Sequence, residues 1–105
     1  MRNVAGAIPA SGLKQVSNDY LVGDRDATVF CNTMRGSVTI TLPRAALHGG
    51  RTVAIRKADA GANAVKIQSV NGEPVGGAVW VTLTLANEYV TLQSDGKSWM
   101  VVAHF

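Results

Sequence analysis

From Tyr20 onward the chain is interrupted at intervals of about ten residues by turn-forming residues, and only short strands fit between the interruptions. Arg35-Gly36, His48-Gly49-Gly50, Ala60-Gly61-Ala62-Asn63, Asn71-Gly72, Gly76-Gly77 and Asp95-Gly96 each supply residues that accept positive φ at low steric cost. The intervening segments are rich in Val, Ile and Thr and alternate with a period of two. Val38, Ile40 and Leu42 face one way and Thr39 and Thr41 the other, and Val65-Lys66-Ile67-Gln68 repeats the pattern. Strands are expected at 20–22, 28–32, 37–42, 52–57, 64–69, 79–83, 88–93 and 98–104. Pro43 has no N–H for a ladder and closes the third of these, leaving room for one helical turn over 43–47. Short strands without helical periodicity predict an all-β fold, an antiparallel β-sandwich of jelly-roll-like type.

The two ends of the chain depart from this rhythm. Residues 1–18 show neither period and carry Gly6, Pro9, Ser11 and Gly12, so they read as an extended N-terminal arm before a single domain over 19–105. The apolar Val4, Ile8 and Leu13 are candidate contacts between that arm and a neighbouring subunit. At the other end, 98–105 contains no Asp, Glu, Lys or Arg. Regular alternation points Trp99, Val101, Ala103 and Phe105 one way and Met100 and Val102 the other, so one apolar face lines a core and the other calls for cover. Met100, Val102, His104 and Phe105 are therefore candidate interface residues. Trp80 is out of phase with Val79, Val81 and Leu83 and turns away from them. It is read as an interface anchor, as part of a second core, or as a stacking platform for a sugar ring. Only 16 % of the residues are charged, against about a quarter in an average soluble chain, a deficit that self-association explains.

Little in the sequence points to chemistry. The net charge of +3 is spread along the chain, with only Arg56-Lys57 adjacent, and no aromatic residues interleave with clustered bases, so nucleic acid is not an expected partner. The lone Cys31 lies in the strand-like Thr28-Val29-Phe30-Cys31 and reads as a buried, inert thiol made in a reducing compartment. No signal-peptide pattern and no apolar run of about 18 residues is present, so neither membrane insertion nor secretion is expected. His48 in its Gly-rich turn and His104 on the last strand make a thin basis for nucleophilic catalysis, and no Cys, His and carboxylate cluster has zinc-ligand spacing. Asp19, Asp24 and Asp26 form the only local acidic group, and the interleaved Arg25 favours a solvated, Arg-paired loop over a cation site. Glu73 and Glu88 carry no sign of a paired-carboxylate cleft. No enzymatic activity, cofactor or metal is expected.

Four segments together carry a resemblance. Ser37-Val38-Thr39-Ile40-Thr41-Leu42-Pro43 comes first. Gly50-Arg51-Thr52-Val53-Ala54-Ile55-Arg56-Lys57 follows, with Ala62-Asn63-Ala64-Val65-Lys66-Ile67 after it, and then Ser94-Asp95-Gly96-Lys97-Ser98-Trp99. Over residues 20–103 they resemble, in order and spacing, a β-rich module of tailed-bacteriophage structural proteins. Gly72-Glu73-Pro74-Val75-Gly76-Gly77 keeps the glycines and the Glu of the family turn and lacks its Asp. The resemblance implies a virion structural protein made in the bacterial cytoplasm. A free-standing module implies a trimeric capsid decoration or cement protein, with the major capsid protein as partner. A tail-fibre or tail-spike component, or a carbohydrate-binding module, is the alternative.

Overall fold

The structure of the chain, a computed structural model, describes residues 12–105. Among the described residues nine strands are present: β1 (Leu13–Val16), β2 (Tyr20–Leu21), β3 (Thr28–Cys31), β4 (Val38–Leu42), β5 (Thr52–Lys57), β6 (Val65–Ser69), β7 (Trp80–Leu83), β8 (Tyr89–Ser94) and β9 (Trp99–His104). Single 3₁₀ turns lie at Ala45–Leu47, where one helical turn is expected after Pro43, and at Val70–Gly72. In the second of these Asn71 and Gly72 both take positive φ, 57° and 70°, as the Asn-Gly pair predicts.

The strands form a five-stranded sheet in the order β9-β8-β5-β3-β1 and a four-stranded sheet in the order β2-β4-β6-β7. Both sheets are mixed, which corrects the antiparallel, jelly-roll-like expectation. β6–β7, β5–β8 and β8–β9 are antiparallel, whereas β1–β3, β3–β5, β2–β4 and β4–β6 are parallel. The reason is that β1 to β6 alternate between the sheets. Each turn carries the chain from one layer to the other, so a strand meets the one two places on, running the same way, as in the coils of a solenoid. Equivalent side chains therefore stack in register: Val38 beside Val65, Ile40 beside Ile67 and Val29 beside Ile55.

The alternation assigns the faces correctly. Val29, Cys31, Val53, Ile55, Val90, Leu92 and Trp99 of the larger sheet meet Val38, Ile40, Leu42, Val65, Ile67 and Leu83 of the smaller in one buried cluster. At the edge of that core the Trp99 indole donates to Pro43 O at 2.9 Å, so the largest core side chain leaves no polar atom unpaired. Cys31 is fully buried, and burial together with the nearby Asp59 charge raises its thiol pKa to about 12. It is inert at neutral pH.

Two elements differ from the expected pattern. Leu13–Val16, within the expected arm, is an edge strand, and Val16 packs against the core. A truncation that spares the fold therefore has to stop short of Leu13. In β9 the register slips between Val101 and Ala103, so Val102 is an extra, bulged residue. The bulge reverses the alternation. Ala103 pairs with Thr91 and shares the outer face of Met100, Phe105 stacks on Tyr89, and of the β9 side chains only Trp99 is fully buried.

Candidate functional site

The crossovers that stack on one another are each clamped by one cation of β5 or its approach. At one end Lys57, in phase with Val53 and Ile55, carries its ammonium into the space between residues 32–37 and 58–64. Its Nζ donates to Gly61 O at 2.8 Å, Thr33 Oγ1 at 3.0 Å and Asp59 Oδ2 at 3.1 Å. Asp59 also accepts from the backbone N–H of Thr33 and of Gly61, and Asn63 Nδ2 donates to Thr33 O. At the other end Arg51 Nη2 reaches the carbonyls of Gly23 and Asp26, while Asp26 accepts from the Tyr20 hydroxyl and Gly23 N–H. The side chains that look most like chemistry thus serve as ties between successive coils.

Burial pushes the Asp59 carboxyl upward. The N–H groups of Thr33 and Gly61, the Lys57 ammonium and the Thr33 hydroxyl outweigh that push and hold its pKa at about 2. A carboxylate held ionised resists attack by a neighbouring amine, so the pair remains an ion pair. Glu88 behaves similarly in a more exposed place. Burial raises its pKa, but the N–H groups of Leu85 and Thr84 and the His104 ring, 2.8 Å from Oε2, bring the net value below the usual carboxylate range. Both groups have depressed folded-state values, so they stabilise the fold above the unfolded pKa near 4 and lose that contribution as pH falls through the folded value. Melting temperature is expected to hold down to about pH 4 and then fall towards pH 2, with Asp59 accounting for about 1–2 kcal/mol of the loss. Calorimetry at pH 2, 3, 4 and 6 checks this, and a flat profile contradicts it.

The sequence-derived site residues are placed as follows. Val4 and Ile8 lie outside the described residues. Leu13 is exposed on β1, at the far edge of the larger sheet from β9. His104 is tied to Glu88 and Phe105 to Tyr89. His48 stands 4.0 Å from Asp24 and beside Arg51. Asp19, Asp24 and Asp26 diverge, and among the described residues no group of acids, His or Cys is arranged to hold a metal. Glu73 accepts from Ser69 Oγ and Ala45 N–H.

What the fold brings together is an apolar rim. The segment 74–78 crosses from the β7 edge to the β9 edge: Trp99 N–H donates to Pro74 O, Gly76 N–H donates to Trp99 O, and Val75 bridges to Ala78 and Trp99. Gly76 lies so close to Val101 that an added Cβ would sit 2.8 Å from its Cγ2, and its φ of 61° also favours glycine. This segment thereby links the β9 edge, with Met100, Val101 and Val102 exposed, to the start of β7, with Val79 and Trp80 exposed. Trp80 sits outside the core as its phase predicts, with Lys66 Nζ 4.1 Å from its ring centroid. No known protein family and no curated protein matches the sequence. Among the described residues no helix is long and apolar enough to cross a membrane.

Proposed function

We infer that the chain is an assembly protein acting through its surfaces, and specifically a bacteriophage virion structural protein that decorates the capsid as a trimer. The observation that carries this reading is the edge of β9. Trp99 turns its N–H and C=O away from β8 to segment 74–78, and beyond that segment β9 has no further strand beside it among the described residues. An open edge is ordinarily guarded by Lys, Pro or an inward charge, and this one carries Met100, Val101 and Val102. A sheet edge with an uncharged, exposed apolar rim is suited to contact with another subunit. The module resemblance supports the virion setting, and the Lys57 and Arg51 clamps between coils suit a part that has to keep its shape under load.

A carbohydrate-binding reading would rest on Trp80 beside Thr41 and Gln68, which share its register. Lys66 over the Trp80 ring competes with a sugar for that surface and makes this the weaker reading.

Light scattering on the eluting protein is expected to give about 33 kDa, three times the 11.0 kDa chain. Cryo-electron microscopy of purified particles is expected to place it at many positions on the head. Density at the tail alone would move the assignment to a fibre component, and absence from particles would overturn the virion reading.

A further inference from the structure

Among the described residues the outer face of the five-stranded sheet carries one charged side chain, Arg56. Gln15, Phe30, Arg56 and Tyr89 stand in register across β1, β3, β5 and β8, and Phe105 stacks on Tyr89 with centroids 5.3 Å apart. In the next row the small Ala54 and Thr28 leave a depression of about 260 Å³ beneath Phe30, Arg56 and Tyr89. A second, of about 280 Å³, continues on the other side of Phe30 towards Gln15 and Asn32. Both are lined by Phe30, and together they make a shallow trough across β1, β3, β5 and β8.

Arg56 is half-buried with its guanidinium 5.9 Å from the Phe30 ring centroid, and among the described residues it meets no carboxylate and no hydrogen-bond acceptor. A partly desolvated guanidinium with its donors unused is unfavourable, and the fork matches a carboxylate. The chain's own acids are engaged elsewhere. Asp19 accepts from Thr39 N–H, Asp26 from Tyr20, Asp59 from Lys57, Glu73 from Ser69 and Glu88 from His104, Asp95 closes its own turn, and Asp24 stands opposite His48. Residues 1–11 contain neither Asp nor Glu.

We propose that this trough binds an extended segment of another protein, seating an Asp or Glu carboxylate on Arg56 and an adjacent apolar side chain against Phe30 and Tyr89. The Gln15 and Asn32 amides face the backbone of that segment. The site lies on a sheet face rather than on the β9 rim, and it stands whether or not the chain decorates a capsid.

The full chain, labelled with ¹⁵N, is titrated with the capped tripeptides Ac-Phe-Asp-Phe-NH₂ and Ac-Phe-Asn-Phe-NH₂ and with sodium acetate. The acidic peptide is expected to shift the Arg56 Nε–H and the amides of Phe30, Ala54 and Tyr89 saturably, and the Asn peptide to bind at least about tenfold more weakly, as loss of one charge-assisted pair implies. Arg56→Gln should abolish the difference, and Arg35→Gln, which removes the same charge from an exposed turn, should keep it. Equal binding of the two peptides, or a preference that survives Arg56→Gln, overturns the site. Acetate binding as tightly as the acidic peptide overturns the polypeptide occupant.

Discussion

Replacing Asp59 by alanine is expected to lower the unfolding free energy by about 3–5 kcal/mol, the largest effect of any single polar substitution in this fold. Lys57 is fully buried, and Asp59 is its only anionic partner among the described residues. Removing the carboxylate leaves an ammonium in the interior facing two carbonyls and a hydroxyl, and it also strips the N–H groups of Thr33 and Gly61 of their acceptor. The double replacement Lys57→Met, Asp59→Ala should recover a large part of the loss, because a buried ion pair replaced by an apolar side chain of similar volume is often close to neutral. Urea denaturation of the wild type, both single variants and the double variant measures the coupling. A loss under about 1 kcal/mol for Asp59→Ala would mean that water reaches Lys57 and that the coil clamp contributes little.

That clamp marks the boundary of what the sequence reveals. The strands were readable wherever apolar and polar residues alternate cleanly. Expected and observed limits coincide for β5 and differ by one residue at most for β4 and β6. Strand direction was not readable, because Val38-Thr39-Ile40-Thr41-Leu42 presents the same buried face to a parallel neighbour as to an antiparallel one. β1 is not legible in the sequence because Leu13-Lys14-Gln15-Val16 has three exposed residues and gains its pairing only from the edge of β3. The Val102 bulge is silent in a run that is apolar on both faces. Lys57 in phase with Val53 and Ile55 was a signal that a cation enters the core. Its partners, Thr33, Asp59 and Gly61, belong to two crossovers that only the coil brings together. Arg56 was likewise legible as outward-facing. That Phe30 and Tyr89 flank it depends on β3, β5 and β8 being neighbours, which sequence spacing does not encode.

If the chain assembles as the proposed trimer, Val102→Lys is expected to leave an 11.0 kDa monomer with a nearly unchanged melting temperature. Val102 is the bulged residue of an edge strand and is 53 % exposed, so a lysine there meets water and strains no core contact; surface changes of this kind stay within about 0.5 kcal/mol. In a subunit contact the same lysine would have to be buried opposite an apolar edge, at several kcal/mol, which is how natural edge strands prevent pairing. Leu47, 73 % exposed on the 3₁₀ turn after Pro43, supplies the control, since Leu47→Lys removes as conspicuous an apolar side chain from a different surface and should leave the assembly intact. The measurement is molar mass by light scattering beside a thermal melt for each variant. A trimer that persists in Val102→Lys would clear the β9 rim of the role given to it. Dissociation by both lysines would point to general charge repulsion between subunits, and loss of folding in Val102→Lys would show that the bulge stabilises the sheet more than its exposure implies.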